Sequence, residues 1–510
     1  MAIASPQNEY DANSMSFPPE LETVLDRTGL VLLVKGQTGT GKTTMSLELM
    51  TRLQSKGDIV YISTRTYPDK LIYQHSLTKP LSERPNVKFF STLEFDPTQF
   101  VIPHKVVTGL HTLLSKMRNP FVVLDSWEGM ADYIPQEARM KVEQSLMAVV
   151  EETGSRLLLV SERPDADTTL DQLADIIIVL DRTLIEDRRE RKLEIRKLRG
   201  QPIRQESYLF TLFNGRFQYL EPFTFRLPPT TNTFKPVENT ETYMSTGSRD
   251  LDYILGGGIP RGSTVLVEFR GDVPFEGQLY VPICMLLNFL STNNAVMAFL
   301  YSDYDPERAR PFITQFVPRE VYDSNLKLFT TDKVKDPVAI NFSLRKDEDF
   351  RKWLNTYESF KEEQKIIWML MALDTVQNFY NEGVMTFLAT VAARAAVNND
   401  IQAIIARPNL ELTPKVANIS QIHLVLTQRL GTLVIYGIKP RTGFYCIQFS
   451  FRNGYPELEL IPLEDAIANG SQTNHTNGDL KTKLSPPKSR RIGADFFTSI
   501  TKSFDDTTEE

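Results

Sequence analysis

Residues 36 to 43 read Gly36-Gln-Thr-Gly-Thr-Gly-Lys-Thr43, the spacing G-x-x-x-x-G-K-T. Glycines at Gly36, Gly39 and Gly41 let a backbone turn tightly and aim its N–H groups inward, which suits a chain of phosphates. The apolar run Leu30–Lys35 precedes the motif and a helical pattern opens after Thr43, so a helix N-terminus would add partial positive charge beneath an anion. In that setting Lys42 reaches the β- and γ-oxygens of a nucleoside triphosphate, and the Thr43 hydroxyl coordinates Mg²⁺. Gly36, Gln37, Thr38, Gly39, Thr40, Gly41, Lys42, Thr43 and Thr44 are the expected nucleotide-binding residues, with ATP and Mg²⁺ as ligands. Lys42 is expected to be solvated when no phosphate is present.

A second acidic position completes the pattern. Phe121-Val-Val-Leu-Asp-Ser126 ends a buried strand on Asp125, where a carboxylate can hold the water shell of the metal. An acid at a strand end is also an ordinary helix cap, and its pairing with the loop favours the functional role. Ser161 and Glu162 close the next strand, either as a γ-phosphate sensor or as a plain turn. The basic stretch Arg182 to Gly200 is either a solvated hairpin face or a source of cations for a neighbour's nucleotide.

The elements that must position these residues are legible as period and punctuation. Continuous apolar runs at Leu30–Lys35, Ile59–Ser63, Val87–Ser91, Phe121–Leu124, Leu157–Ser161 and Ile176–Leu180 predict parallel strands buried on both faces. Helical spacing at Thr43–Lys56 and Gln136–Thr153 predicts the covering helices. Alternating runs at Lys192–Lys197 with Tyr208–Phe213, and at Leu433–Ile438 with Phe444–Phe451, predict antiparallel edge strands. Gly36 and Gly271, Asp125 and Asp374, and Lys197 and Lys439 recur at offsets of 235, 249 and 242 residues, so a degenerate tandem duplication is the best account. The expected organisation is a flexible start at 1–16, an ATP-binding domain at 17–225, a linker at 226–244, a second domain at 245–464 and a disordered tail at 465–510. Within that tail Ile492, Phe496, Ile500 and Phe504 recur every four residues, the spacing of a short amphipathic helix after a basic cluster.

The chain of 510 residues is 41% apolar with net charge −7, enough for two sizeable cores and mildly against a dedicated nucleic-acid binder. Two cysteines, Cys284 and Cys446, exclude a disulfide framework, and the five histidines show no metal-ligand spacing. No apolar run approaches the roughly 20 residues of a spanning helix, and the N-terminus lacks signal-peptide character, so a cytoplasmic protein is expected.

The phosphate loop, the VVLDS strand, and the stretch LVSERP…LADIIIVLDR…RRERKLEIRKLRG resemble the KaiC-like branch of the RecA superfamily. Ser245–Val267, STGSRDLDYILGGGIPRGSTVLV, resembles the lead-in of a second such domain. The short lead into the loop and the degenerate second half are similar, more loosely, to the archaeal gas-vesicle regulator GvpD. The resemblance implies an α/β fold of two tandem RecA-like P-loop domains, each a mostly parallel sheet flanked by helices. It also implies homo-oligomers with the nucleotide at a subunit interface, where Lys197 and Arg199 of Lys197-Leu-Arg-Gly200 would read a neighbour's γ-phosphate. Lys42, Asp125 and Arg199 are thereby the expected catalytic residues.

Three departures modify the expectation. The family's glutamate pair after the second strand is Ser63-Thr64-Arg65 here, and neither Glu128 nor Glu162 sits where the pattern puts a carboxylate. Gln201, Pro202 and Ile203 replace the family's Thr and His, which removes the expected base contacts. The second loop reads Gly271-Asp-Val-Pro-Phe-Glu-Gly-Gln278-Leu279, with no lysine or hydroxyl and with added acids, the mark of a pseudo-ATPase domain. The expected function is a slowly hydrolysing, KaiC-like regulatory ATPase acting on a protein partner. The alternatives are a RecA-type DNA repair accessory, disfavoured by the acidic balance, and a non-hydrolysing ATP-sensing scaffold.

Overall fold

Val31 and Leu33 pack into one apolar cluster and Leu30, Leu32 and Val34 into another, so the first strand is buried on both faces. That is why its sequence reads as an unbroken apolar run rather than an alternation. The computed structural model describes residues 16–95, 102–165, 168–224, 231–301, 306–330, 334–343, 345–464 and 495–505. These fall into two units: one holds the residues up to Glu221 together with those from Leu463 onward, and the other those from Pro222 to Pro462.

The N-terminal unit has strands β1 (Leu30–Gly36), β2 (Ile59–Ser63), β3 (Val87–Ser91), β4 (Phe121–Asp125), β5 (Arg156–Ser161), β6 (Ile176–Ile185), β7 (Arg188–Leu198), β8 (Ser207–Thr211) and β9 (Gln218–Tyr219). They form one sheet in the order β3-β2-β4-β5-β1-β6-β7-β8-β9. Pairing is parallel from β3 through β6 and antiparallel from β6 onward, so the antiparallel strands extend one edge. Lys42–Leu53 and Gln136–Thr153 are helices.

The C-terminal unit has β10 (Tyr243–Met244) and β11 (Ile259–Pro260) as a separate pair. Its main strands are β12 (Thr264–Arg270), β13 (Ala295–Phe299), β14 (Leu326–Thr330), β15 (Ala339–Asn341), β16 (Ile367–Ala372), β17 (Ile401–Ala406), β18 (Ile422–Arg429), β19 (Thr432–Lys439), β20 (Tyr445–Ser450) and β21 (Glu457–Pro462). Their order is β15-β14-β13-β16-β17-β12-β18-β19-β20-β21. With β12 set on β1, this is the order of the first sheet with β15 added at one edge, so both units are built on one plan. The α/β class, the tandem arrangement and the antiparallel edges are those read from the sequence.

Phe234, in the stretch expected as a linker, is 4% exposed and belongs to the core of the C-terminal unit. In the tail, Phe496–Asp505 is a helix. Its Phe496, Phe497, Ile500 and Phe504 are buried in the cluster that includes Val106 and Leu110 of the helix Pro103–Lys116. Phe496 meets Phe95 edge-on with ring centroids 4.8 Å apart. A Cβ at Gly109 would overlap the Phe497 ring, so glycine is what permits this close approach. Burying each such side chain contributes about 1.5–3 kcal/mol, which holds a helix too short to be stable alone. Residues 1–15 of the segment 1–16 expected to be flexible, and the tail positions Ile492, Lys481, Lys483, Lys488, Arg490 and Arg491, lie outside the described residues. Among the described residues no helix is long and apolar enough to cross a membrane.

Candidate nucleotide site

Strand β1 delivers the chain to the loop at Gly36, and the helix Lys42–Leu53 takes it away. Between them Gly39 (φ 79°) and Gly41 (φ 105°) adopt left-handed backbone that side chains resist. At Gly41 a Cβ would also stand 2.9 Å from Leu212 Cδ1. Gln37, Thr38 and Gly39 form the exposed tip, while Thr40 is buried and its hydroxyl donates to Gln37 O at 2.9 Å. Thr44 is buried below the loop.

Lys42 is not solvated, which corrects the sequence expectation. It is 7% exposed and donates to Gly36 O and Gln37 O, each at 2.8 Å. The loop turns two of its own carbonyls onto the ammonium, which satisfies the buried charge. Burial pushes the Lys42 pKa down, against the opposing pull of Glu162, Asp125 and Glu128. The Thr43 hydroxyl donates to Asp125 Oδ2 at 2.7 Å, so the structure brings the two expected metal-side residues together. Tyr61 donates to the same oxygen at 2.5 Å; its burial, with Asp125 beside it, drives the phenol pKa far up.

One strand, β5, lies between β1 and β4, and its end faces the loop. There Ser161 Oγ donates to Glu128 Oε1 at 2.5 Å, and the Glu162 amide donates to Glu128 Oε2 at 3.3 Å. Arg65 pairs with Glu162 at 2.6 Å. Lys42 feels both glutamates, so the fold gathers carboxylates toward the loop although Ser63–Arg65 supplies none.

Other residues arrive that the sequence did not single out by position, although Arg191 lies in the basic stretch Arg182–Gly200. Burial lowers the pKa of His75 while Asp125 raises it, which places the ring in the aspartate's field. Arg191 of β7 is buried and donates to Gly39 O at 3.2 Å and Thr40 O at 3.5 Å. Lys197 and Arg199 are not part of this cluster. Leu198 pairs with Ile176, and Ile176 with Leu32, four residues before Gly36, which is about 13 Å along a strand. Lys197 Nζ donates to Asp171 O and Gln172 O at 2.9 Å, capping the helix Thr169–Leu173. Arg199 pairs with Asp175 at 3.1 Å. Lys439 does the same work as Lys197, donating to Ala417 O at 2.6 Å and Ser420 O at 3.4 Å at the end of the helix Thr413–Ile419. A shared capping role accounts for that lysine in both copies.

The corresponding place in the C-terminal unit is filled from within. Gln278 Nε2 donates to Val273 O at 2.9 Å. Arg407, the residue after β17, donates to Gln278 Oε1 at 3.4 Å, lies 3.9 Å from Asp374 and stacks 3.7 Å over the Tyr301 ring. The strand ends that carry Glu162 and Arg65 in one unit thus carry Arg407 and Tyr301 in the other.

A glycine loop gripping its own lysine, a hydroxyl on an aspartate, and a parallel sheet that presents both define a P-loop nucleotide-binding protein. Residues 22–200 match the model described as GvpD gas vesicle protein, P-loop domain. The chain is 26% identical over 492 residues to Protein GvpD2 of Halobacterium salinarum, covering 90% of this chain and 98% of that protein. It is 24% identical over 539 residues to Protein GvpD1 of the same organism, covering 90% and 99% respectively. The chain is thus similar to GvpD proteins along most of its length, and its P-loop region to their P-loop domain.

Proposed function

We propose that the N-terminal unit binds Mg-ATP at Gly36–Thr44 with Asp125, and that nucleotide state governs a regulatory interaction in gas-vesicle formation. The observation that carries the reading is the Lys42 ammonium held inside its own loop by Gly36 O and Gln37 O. Those carbonyls stand in for phosphate oxygens, which would take the same charge with stronger, charge-assisted bonds. Thr43 and Asp125 offer hard oxygen donors that suit Mg²⁺, a cation that keeps several waters and needs few protein ligands. The magnesium would neutralise charge on the terminal phosphates. The matched family of gas vesicle proteins supplies the process, and the KaiC-like resemblance supplies the mode, in which bound nucleotide changes assembly or partner affinity.

The C-terminal unit is read as a pseudo-ATPase domain. Its Gln278 and Arg407 satisfy each other, and Asp374 faces a guanidinium instead of a metal.

Titration calorimetry with ATP on the full chain tests both statements. Wild type should bind at one site per chain. Lys42→Met, which keeps the buried stem but not the charge, should bind none, because the other unit offers no second site. Undiminished binding by Lys42→Met would remove the assignment, and partial binding would show that the C-terminal unit takes nucleotide.

A further inference from the structure

The hairpin beside the phosphate loop is longer than the sheet needs. Strand β1 ends at Gly36 opposite Leu180, yet β6 runs on to Ile185 and β7 begins only at Arg188. The overhang of five residues projects roughly 16 Å past the end of β1. Leu180 and Leu193 bury one face of this hairpin in the cluster that holds Met45 of the helix after the loop. Two residues further along each strand, that face carries Arg182 and Arg191, directly opposite each other in register.

Like charges directly opposite on a hairpin destabilise it. Arg191 reaches Gly39 O and Thr40 O. The Arg182 guanidinium lies 3.2 Å from where a Cβ on Gly39 would stand, so both cations converge on the loop tip. Other hairpin cations have carboxylates: Lys192 has Glu194 at 3.2 Å, Arg188 has Glu186 at 3.7 Å and Arg189 has Glu464 at 2.8 Å. Asp181 accepts the Arg182 backbone N–H at 2.7 Å. Among the described residues none pairs with the Arg182 guanidinium. An exposed cation held against another, at the rim of a loop shaped for phosphate, is explained by an anion between them.

We propose that Arg182 binds the phosphate chain of the nucleotide in cis, with Arg191 fixing the loop beneath it. This rests on the nucleotide site proposed above and adds the part of the ligand that the hairpin reads. Asp125, Glu128 and Glu162 all stand on the β5–β4 side of β1, where the metal and terminal phosphate belong, whereas β6 is its other neighbour. Arg182 therefore contacts the α- and β-phosphates, which ATP and ADP share.

Arg182→Gln and Arg182→Lys, titrated with ATP and with ADP, test this. Loss of one charge-assisted contact should weaken both nucleotides about tenfold in Arg182→Gln, with Arg182→Lys intermediate. The melting temperature without nucleotide should not fall in Arg182→Gln, because the side chain is exposed and its removal relieves the repulsion opposite Arg191. Affinities within about twofold of wild type would overturn the clamp while leaving the site standing. A loss confined to ATP would overturn it too, by placing Arg182 at the γ-phosphate. Failure of wild type to bind either nucleotide would instead remove the site and the clamp with it.

Discussion

The Thr43 hydroxyl donates to Asp125 Oδ2 across 2.7 Å, joining the start of the helix after the phosphate loop to the end of β4. A magnesium ion would take a lone pair of the Thr43 oxygen while the O–H still donates to Asp125, so this bond would aim the hydroxyl oxygen at the metal. Asp125→Asn keeps an oxygen that can accept from both Thr43 and Tyr61, and removes only the charge. It should change stability by no more than about 1 kcal/mol, bind ATP in the presence of chelator as wild type does, and lose the tightening caused by Mg²⁺. Calorimetry with and without magnesium measures this; an equal magnesium effect in the variant would show that the metal does not use Asp125.

Glu128 is the carboxylate best held for orienting a water, since Ser161 and the Glu162 amide fix both its oxygens. Glu162 is occupied with Arg65. Turnover in wild type should fall below the usual enzyme median of about 10 per second, because the glutamate pair of the resembling family is missing. Glu128→Gln should lower what remains by about 10²-fold or more and leave ATP affinity intact. Unchanged phosphate release in the variant would favour a scaffold that senses ATP without cleaving it.

The strands were legible because each is a closed run of apolar residues, and the loop because its chemistry is contiguous in sequence. The duplicated plan was legible from landmarks at strand ends. What was hidden depends on crossings between strands. Tyr61 meets Asp125 only once β2 lies beside β4, and His75 comes into the aspartate's field only in the folded chain; no local pattern announces either. The hairpin overhang is invisible in a stretch that reads simply as basic. Solvation of Lys42 was a sound expectation for a lysine on a polar loop, and it failed because the backbone carbonyls of that loop could turn inward.

Acid should unfasten the C-terminal unit through Glu268. Burial would raise its pKa, but hydrogen bonds from His423 at 2.8 Å and Arg270 at 2.7 Å outweigh that and hold it at about 2, below the ordinary 4.5. A carboxylate lowered on folding stabilises the fold above its unfolded pKa, and that stability is lost as pH falls from about 4.5 toward 2. After allowance for partial solvent screening the effect is about 1–2 kcal/mol. Urea midpoints at pH 7 and pH 3 should differ less in Glu268→Gln than in wild type. In a Trp127→Phe background, Trp353 and Trp368 report this unit. Parallel acid limbs would show that the pair does not govern acid stability.

The remaining question is which cation reads the γ-phosphate. Arg199 lies about 13 Å from its own loop along the sheet, so it can serve only the site of another chain. Its side chain is 54% exposed, paired with Asp175 at 3.1 Å and donating to Gln172 O at 3.1 Å; two such surface contacts are worth about 1–2 kcal/mol together, so release toward a neighbour costs little. Lys197 is committed to capping a helix, and its place is to hold the strand end from which Arg199 extends. In the C-terminal unit the matching Lys439-Pro440-Arg441 has a proline that alters the strand end. A finger arginine contributes about 10³-fold or more to rate. Arg199→Ala should therefore abolish residual turnover and any growth of particle mass with ATP, while ATP binding persists in weakened form. Light scattering at rising ATP concentration reads the mass directly. A monomer throughout, or a larger effect from Arg441→Ala, would mean that the nucleotide is not read by Arg199 of a second chain.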